Sequence, residues 1–517
     1  MSDLNHLLKA LGITLGAALS LGLLVQQVLE SSKPPLPPSP RSYPFIGHLL
    51  SMPQSNQHLG FIKLGKQLKS DIFSLRVFGQ TMIVLNSVEE ANKLLQNRSA
   101  IYSGRPPAPM LTEPSLLDAA GLVSIAGYNE RWRKSRRIMH PWLHKQAVES
   151  FHHSQQTEAR MLLQRLIHMS ETSLSSEVFY HEVFTALSGT LLRSIYGYQI
   201  SGRDDPFLKE AIQLVRNLSD AVMPTNFLVN IFPGLRYVPS WFPGAGWKRV
   251  AQAWKEQKER TMMGLFSKTK ESVDSGSYES SMIASSLVDA EKLGLSPEEV
   301  IDYLSYAGIT LYLGGAETTS NILLIFAIAM MLYPEVQHKA QVEIDNLIGD
   351  SRLPVMDDRH RLPYTDRLIQ EILRWCPVIP TGVPHALTDN DIYEGFRMPK
   401  GAIVFANIWA MSRNEKVYNK PEEFNPDRFL DPSVPLCPVF GFGRRECPGN
   451  HFADSSIFII IASLLAVFDV KIPKNFIGEE IVPELTSKNT MIYHPDEFQM
   501  RLEPRSARHA YLVDTQA

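Results

Sequence analysis

Apolar residues recur at helical spacing along most of the chain. The 3.6-residue period predicts helices over 130–170, 176–197, 245–272, 296–332, 334–348 and 450–468. Strand-like runs are few and short, and they lie at 71–85, 402–405 and 491–504. The polar, serine-rich stretch 267–281 is expected to be a surface loop. The pattern therefore predicts a mainly α protein with a minor antiparallel β-sheet.

The N-terminus carries an uncharged apolar run at residues 10–29. At 1.5 Å per residue this run is long enough to cross the roughly 30 Å hydrocarbon core of a bilayer. A cleaved signal peptide is the alternative, but the preceding flank is hardly basic and no small-residue cleavage site follows. The prolines after it predict a stiff, extended spacer. We expect residues 1–30 to be a membrane anchor, 31–41 a spacer, and 42–517 a single folded domain.

The charges that flank the apolar run predict its orientation. Lys9 precedes the run, whereas five basic residues follow it within the next forty positions: Lys33, Arg41, Lys63, Lys66 and Lys69. The positive-inside rule then leaves the body of the protein in the cytosol, behind a single-pass anchor. The sequons at Asn97 and Asn217 would accordingly never meet the luminal glycosylation machinery.

The clearest helix signal begins at residue 296. Ser296 is a good N-cap, Pro297 suits the first helical position, and Glu299 completes a capping box. The apolar pattern continues to Pro334, although each glycine of the pair at 314–315 weakens a helix by about 1 kcal/mol. The pair serves either close helix packing or a functional break in the helix.

Composition narrows the function. Of 517 residues, 44% are hydrophobic, and 51 basic residues against 54 acidic ones give a net charge of -3. This balance argues against a nucleic-acid partner. The three cysteines cannot form a disulfide framework, and none has zinc-ribbon spacing. Cys376 and Cys437 are expected to be inert core residues, while Cys447 lies in a glycine-rich loop before a helix, where main-chain N–H groups favour a thiolate.

The loop resembles the haem-binding signature of the cytochrome P450 family, F-x-x-G-x-R-x-C-x-G. Its matching residues are Phe440, Gly443, Arg445, Cys447 and Gly449. Further family motifs occur in the expected order, and the resemblance covers about residues 34–505. These motifs are Trp132-x-x-x-Arg136, Gly314-Gly315-Ala316-Glu317-Thr318-Thr319, Glu371-x-x-Arg374 and Pro426-x-Arg428-Phe429. The resemblance implies one P450 domain at 42–517, with haem iron bound by the Cys447 thiolate.

The resemblance also assigns roles around the haem. Glu371, Arg374 and Arg428 would form a buried ionic network, although Glu371 and Arg374 could equally be a weak surface pair. Phe440 belongs to the haem loop. The side chains expected to bind the haem propionates are Trp132, Arg136, His385 and Arg445.

The implied chemistry is the insertion of one oxygen atom from O2 into a lipophilic small molecule. Glu317 and Thr318 would deliver protons. Electrons would come from NADPH through a membrane-bound P450 reductase, with cytochrome b5 as a further partner, because the chain has no flavin or nicotinamide motif. Residues near the substrate would be the stretch 105–128 together with Gly315, Ala316, Thr381, Gly382 and Val383.

The residues at 374–385 and 231–249 look like those of fungal microsomal P450s of secondary metabolism. A terpenoid or polyketide intermediate is the expected substrate, and an endoplasmic reticulum membrane the expected location. Four aromatic residues are expected to dip into the membrane surface or, alternatively, to pack beneath a lid: Phe232, Trp241, Phe242 and Trp247. The competing functions are a peroxide-driven peroxygenase, a xenobiotic-clearing monooxygenase and a non-catalytic haem sensor.

Overall fold

The computed structural model describes residues 33–169, 173–202, 204–223, 226–475, 477–487 and 491–515. The predicted anchor at 1–30 lies outside these residues, as do the first two residues of the predicted spacer. The rest of the spacer is ordered against the body, because Ser74 donates a hydrogen bond from its hydroxyl to the Pro37 carbonyl at 2.7 Å.

The described part of the chain is mainly helical, as the sequence predicted. The α-helices are α1 Gln57–Leu68, α2 Val88–Ala91, α3 Ser99–Tyr102, α4 Pro109–Thr112, α5 Glu130–Leu143, α6 Lys145–Val148, α7 His152–Ile167, α8 Ser176–Tyr196, α9 Pro206–Val222, α10 Trp247–Asp274, α11 Met282–Val288, α12 Pro297–Leu332, α13 Pro334–Ile348, α14 Pro363–Trp375, α15 Ile408–Ser412, α16 Asn450–Val467 and α17 Ala507–Thr515. Short 3-10 turns link several of them, including Pro426–Leu430 and Gly443–Arg445.

The strands form small sheets beside the helices. They are β1 Ile72–Val77, β2 Gln80–Leu85, β3 Leu174–Ser175, β4 His385–Ala386, β5 Asp391–Tyr393, β6 Phe396–Met398, β7 Ile403–Ala406, β8 Phe468–Lys471 and β9 Gln499–Pro504. The largest sheet has the order β1-β2-β7-β4, and β2 pairs with β7 in parallel from Met82↔Ile403 to Leu85↔Ala406. The other strand pairs among the described residues are antiparallel, as predicted, and the pairing of β2 with β7 is the exception. Parallel pairing needs a long crossover connection, which a local pattern does not reveal.

Helix α12 runs through the middle of the fold. Its predicted capping box is confirmed, with Ser296 accepting from the Glu299 N–H and Glu299 accepting from the Ser296 N–H, and Pro334 follows its end. The first half of α12 packs against α8–α11, whereas its second half packs against α7, α14 and α16. Within the described residues, α12 and α16 are long and apolar enough to cross a bilayer, but 78% of each apolar segment is buried in the protein. They are core helices.

Three predicted boundaries are wrong. The helix predicted over 130–170 is interrupted at His144, whose extended backbone ends α5 and whose ring caps α6. The predicted loop 267–281 is helical up to Asp274, because Thr269 is buried and its hydroxyl donates to the Tyr196 carbonyl at 2.8 Å. In the run 491–504, only Gln499–Pro504 forms a strand. Tertiary packing overrides the local pattern in these places.

A buried carboxyl lies where α7 and α8 meet. Glu158 is 6% exposed, and no described residue donates a hydrogen bond to its Oε2 atom. A Cβ atom at Gly189 would stand 2.6 Å from the Glu158 carboxyl carbon, so this contact requires glycine. Burial raises the pKa of Glu158 from 4.5 to about 7.

The raised pKa predicts a pH-dependent stability. A carboxyl whose pKa is higher in the folded state stabilises the fold fully below its unfolded pKa, and this contribution is lost as the pH rises through the folded pKa. Between about pH 4.5 and pH 8, we expect the free energy of unfolding to fall by ~3 kcal/mol more in the parent than in Glu158→Gln. Urea unfolding of both proteins across this range measures the difference. Parallel curves for the two proteins would contradict the assignment.

Candidate active site

A cavity of about 390 Å³ lies between helix α12 and the loop before α16. Gly314, Gly315, Glu317 and Thr318 of α12 border it, and Cys447 borders it from the loop. The structure thus places Glu317, Thr318 and Cys447, which come from two distant motifs, on the same cavity. Phe440 and Arg445 from the same loop also border the cavity.

The loop around Cys447 is held by its main chain. The Cys447 N–H donates to the Phe440 carbonyl at 2.8 Å, and Gly443 has a φ of +57°. A Cβ atom at Gly443 would stand 2.3 Å from the Leu95 carbonyl oxygen, so only glycine fits there. On the side of α5, Arg136 donates to the Glu446 carbonyl at 3.1 Å. These contacts fix the direction in which Cys447 enters the cavity.

The protein alone does not favour a thiolate at Cys447. Burial raises the pKa of the Cys447 thiol, while the Gly449 N–H and the charge of Arg136 lower it by less. The loop N–H of Gly449 acts in the expected direction, but burial of the thiol outweighs it. A thiol that coordinates a metal ion is deprotonated by the ion's charge. Cys447 consequently suits a role as a ligand of a bound iron.

Cationic side chains line one edge of the cavity. Arg105, Arg136, His385 and Arg445 border it, together with the indole of Trp132. The Arg445 guanidinium lies over the Trp132 ring at 4.5 Å and donates to the carbonyls of Ser103 and Ala126. Four of these five residues were predicted from the sequence to lie together: Trp132, Arg136, His385 and Arg445. The structure places them on one cavity, although Arg136 and Arg445 lie about 310 positions apart in the chain.

These cations lack a counter-charge of their own. Among the described residues, no carboxylate lies within ion-pair distance of Arg105, Arg136 or Arg445, whose hydrogen bonds go mainly to main-chain carbonyls. Burial, aided by Arg445, lowers the pKa of Arg105 to about 9. Burial, aided by Arg136, lowers that of Arg445 to about 10. Two carboxylates reaching this edge would relieve the repulsion. The donor set therefore fits the propionates of a haem.

His385 belongs to the same edge. Its Nδ1 atom lies 2.7 Å from the Tyr102 carbonyl, which can only accept, so Nδ1 carries the hydrogen. Burial and the charge of Arg105 lower the pKa of His385 to about 3. An anion next to Nε2 would raise this pKa again.

Beneath the loop, Glu371 joins two arginines in a buried network. Arg374 donates to both carboxylate oxygens of Glu371, at 2.7 and 2.8 Å, and both side chains are fully buried. Arg428 donates to the same oxygens at 3.0 Å, and the Asn425 N–H donates at 2.8 Å. Arg374 also donates to the carbonyls of Ser412 and Pro421. The weak surface pair is thereby excluded.

On the opposite side of the cavity, Glu317 and Thr318 occupy the weak centre of α12. The Thr318 hydroxyl donates to the Gly314 carbonyl at 2.8 Å, one turn earlier. Burial raises the pKa of Glu317 to about 7, and the charge of Arg216 on α9 opposes this rise. Glu317 therefore changes protonation near neutral pH, which suits a proton donor.

The predicted substrate residues divide into two groups. Gly315, Gly382 and Val383 border the cavity. Ala316 does not, because it faces the core between α12 and its neighbours and is fully buried. Thr381 also does not border it, because it lies in a turn closed by the Gly382 N–H and the Ile379 carbonyl at 3.0 Å. The two groups differ in whether the residue faces the cavity, and the motif does not encode this orientation.

The segment 113–128 borders the cavity and is held in place by two lysines of helix α10. Lys258 on α10 is 2% exposed, donates to the Asp118 carbonyl, and lies 3.4 Å from the Tyr306 hydroxyl on α12. Lys255 forms an ion pair with the Asp118 carboxylate at 3.0 Å. Residues 122–125 of this segment border the cavity.

Sequence reasoning missed the roles of Arg105 and Lys258. Arg105 fell within a stretch that was assigned to the substrate, and it precedes two prolines without any motif spacing. Lys258 looks like one more charge on a polar helix. Both side chains are held by main-chain carbonyls of other segments, so no pattern of residue types marks them.

The cationic edge predicts how tightly haem is held. In the haem-loaded protein, Arg105→Leu should release haem to apomyoglobin roughly 10- to 100-fold faster, because a buried charge-assisted contact contributes about 1.5–3 kcal/mol. Arg105→Lys, which keeps the charge, should recover part of the loss. Arg133→Leu on the exposed face of α5 is the control. Equal release rates in the parent and Arg105→Leu would remove Arg105 from the haem site.

Comparison with known proteins agrees with this geometry. The cytochrome P450 family model matches residues 37–499. Cytochrome P450 monooxygenase 208 of Postia placenta is 36% identical over 94% of this chain and 93% of its own length. Cytochrome P450 monooxygenase 98 of the same fungus is 36% identical over 98% and 97%, and a P450 monooxygenase of Armillaria gallica is 34% identical over 94% of each chain. The chain belongs to the cytochrome P450 family of haem-dependent monooxygenases.

Proposed function

We propose that this protein is a membrane-anchored monooxygenase that inserts one oxygen atom of O2 into a lipophilic intermediate of fungal secondary metabolism. Two electrons from NADPH arrive through a reductase, and the second oxygen atom leaves as water after taking two protons. The observation that carries the proposal is that Cys447 and the Glu317–Thr318 pair, from two distant motifs, border the same cavity. A haem held by the Cys447 thiolate supplies the reductive activation of dioxygen.

Glu317 is the proton donor in this proposal. Its raised pKa keeps part of the population protonated at neutral pH, and Arg216 prevents the pKa from rising further. Thr318 directs its own hydrogen to the Gly314 carbonyl, so its oxygen lone pairs are available to accept a hydrogen bond from within the cavity. Together the pair moves protons toward the cavity and fixes where they arrive. A non-catalytic haem sensor would need neither residue.

The cavity wall favours an apolar substrate. Apart from the cationic edge and the Glu317 region, the residues that border it are mostly aliphatic, such as Leu111, Val215 and Ile379. A terpenoid or polyketide intermediate suits such a wall, and so do many xenobiotics. The relatives are fungal, and their names state the reaction type alone. The biosynthetic assignment therefore rests on the resemblance of residues 231–249 and 374–385 to fungal microsomal P450s of secondary metabolism.

A basic surface supports an acidic electron donor. Arg133, Arg137 and His140 are exposed on α5, the helix whose Arg136 contacts the main chain beside Cys447. Arg444 is exposed in the Cys447 loop itself. Opposite charge steers a donor to this face and brings it close to the thiolate side of the haem. An NADPH–P450 reductase, or cytochrome b5, is the proposed donor.

Exposed aromatic residues support a membrane contact. Trp241 is 79% exposed, and Phe242 and Phe232 are also exposed, whereas Trp247 packs against the core near α10. The Phe232 ring lies 5.3 Å from the ring of Phe78, which follows β1. The first described segment pairs with the end of β1 through Gly47 and Val77. This surface, continuous with the chain that leaves the proposed anchor, would face the cytosolic side of the endoplasmic reticulum.

The proposal predicts incorporation of labelled oxygen. The haem-loaded chain, with reductase, NADPH and 18O2, should label hydroxylated products from a panel of sesquiterpenes, and Cys447→Ser should abolish labelling. Glu317→Gln should lower product formed per NADPH by about 100-fold, because proton delivery by a positioned acid contributes about 10²–10⁴-fold. Activity that needs only hydrogen peroxide and no reductase would instead identify a peroxygenase.

The same assay across pH tests the proton donor. Activity of the parent should decline as the pH rises through about 7, since Glu317 then loses its proton. Arg216→Met should move this decline to higher pH, because removing the positive charge raises the pKa of Glu317 further. Lys209→Met, also on α9 but paired with Asp204, is the matched control and should leave the profile unchanged.

The membrane contact predicts which tryptophans meet lipid. In vesicles that carry the full chain and brominated lipids, part of the tryptophan emission should be quenched. Trp241→Phe should remove most of the quenched component, because this indole is the most exposed large apolar side chain of its segment. Trp375→Phe, a buried position, should leave it unchanged. Equal quenching of the parent and Trp241→Phe would place this segment away from the bilayer.

A further inference from the structure

The cavity has a side wall that none of the P450 motifs contributes. This wall lies on α8, α9 and α11, and its residues include Leu187, Leu191, Ser194, Val215, Ser219 and Met282. It adjoins α12 at Gly315, where an added Cβ atom would stand 3.0 Å from both methyl groups of Leu191. The side wall therefore belongs to the same space as Cys447 and Glu317, but on a different side from the haem loop.

The side wall contains no ionisable residue, and its polar side chains are two hydroxyls, Ser194 on α8 and Ser219 on α9. A carboxylate or an ammonium group placed there would be buried without a partner, which is strongly unfavourable. A neutral group that forms hydrogen bonds would find these two hydroxyls, of which that of Ser194 is buried without a partner among the described residues. The wall therefore discriminates against charged ligands.

The Ser194 hydroxyl is itself without a partner. Ser194 is 5% exposed, and no described residue forms a hydrogen bond with its Oγ atom. Buried hydroxyls on the same helix behave differently. Thr185 donates to the His181 carbonyl at 2.7 Å, and Thr190 donates to the Ala186 carbonyl at 3.1 Å. The helix satisfies Thr185 and Thr190 internally and leaves Ser194 unpaired, which is unfavourable unless a ligand completes the bond.

We propose that Ser194 binds a neutral oxygen of the substrate, a hydroxyl or a carbonyl, while an apolar part of the same molecule lies over Cys447. This inference rests on the proposed monooxygenase function and names its substrate class. The substrate is a long apolar molecule that already carries an oxygen distant from the carbon to be oxidised. An earlier oxygenation or addition of water must supply that oxygen, or the precursor must already carry it as a carbonyl. Ser194 is a positioning residue, because it acts on the orientation of the substrate.

Binding of matched probes tests this role. Equilibrium dialysis of the haem-loaded full chain measures the dissociation constants of decan-1-ol, decane and decanoate, which share a chain length. Ser194→Ala should weaken decan-1-ol binding about fivefold to tenfold, as expected for one lost hydrogen bond, and should change decane binding by less than about twofold. Ser194→Thr, which keeps the hydroxyl, should retain decan-1-ol binding. Decanoate should bind more weakly than decan-1-ol in the parent and show no dependence on Ser194.

Thr190→Ala provides the matched control, since it removes a buried hydroxyl of the same helix that does not border the cavity. It should leave the affinities for both neutral probes unchanged. Three results would overturn the proposal: equal decan-1-ol affinity in the parent and Ser194→Ala, equal weakening of decan-1-ol and decane, or failure of the parent to bind either. The first result would mean that a water molecule satisfies Ser194.

The binding measurements on the Ser194 variants do not depend on whether the enzyme turns over. If oxygen labelling succeeds but decan-1-ol binding ignores Ser194, the monooxygenase function stands and the substrate class fails. If decan-1-ol binding depends on Ser194 but no labelling occurs with reductase, the binding site stands and the oxygenation chemistry fails. A shift in the position oxidised on decan-1-ol in Ser194→Ala would add a readout that a purely structural role would not give.

Discussion

The network of hydrogen bonds and ion pairs around Glu371 is the constraint on which the position of the Cys447 loop depends. Its carboxylate accepts from Arg374, Arg428 and the Asn425 main chain, and Arg374 in turn holds the carbonyls of Ser412 and Pro421. Helix α14 is thereby tied to the segment that leads into the Cys447 loop. Removing one partner would leave a buried charge unpaired, which costs about 3–5 kcal/mol. The fold tolerates these charges because every side of the network is satisfied.

The cationic edge of the cavity follows the opposite rule. Arg105, Arg136 and Arg445 are brought together with carbonyl partners but without an opposing carboxylate in the described part of the chain. Their mutual repulsion and burial are unfavourable for the protein by itself, as the lowered pKa values of Arg105 and Arg445 indicate. Cys447 shows the same dependence, since burial raises its pKa. The fold thus supplies an edge for anions and a ligand for a cation, and a haem brings both.

The sequence predicted the parts of the site that local spacing encodes. Glu371 and Arg374 lie one helical turn apart, and Phe440 to Gly449 form one loop, so their types and spacing are sufficient. Arg105 and Lys258 were missed because each is defined by carbonyl groups of another segment. The parallel pairing of β2 with β7 was missed for a related reason, since its strands lie about 320 positions apart. Long-range partners leave no periodic trace in a single sequence.

The weak centre of α12 connects these observations. The glycines at 314 and 315 were open to two interpretations, close packing or a functional break, and the structure supports close packing, because α12 runs unbroken through both. Gly315 permits α8 to approach through Leu191, while the Gly314 carbonyl accepts the hydrogen of the Thr318 hydroxyl. Close packing at one glycine brings Ser194 and its side wall to the cavity, and the adjacent turn presents Glu317 to it. Substrate orientation and proton delivery therefore depend on the same few residues of one helix.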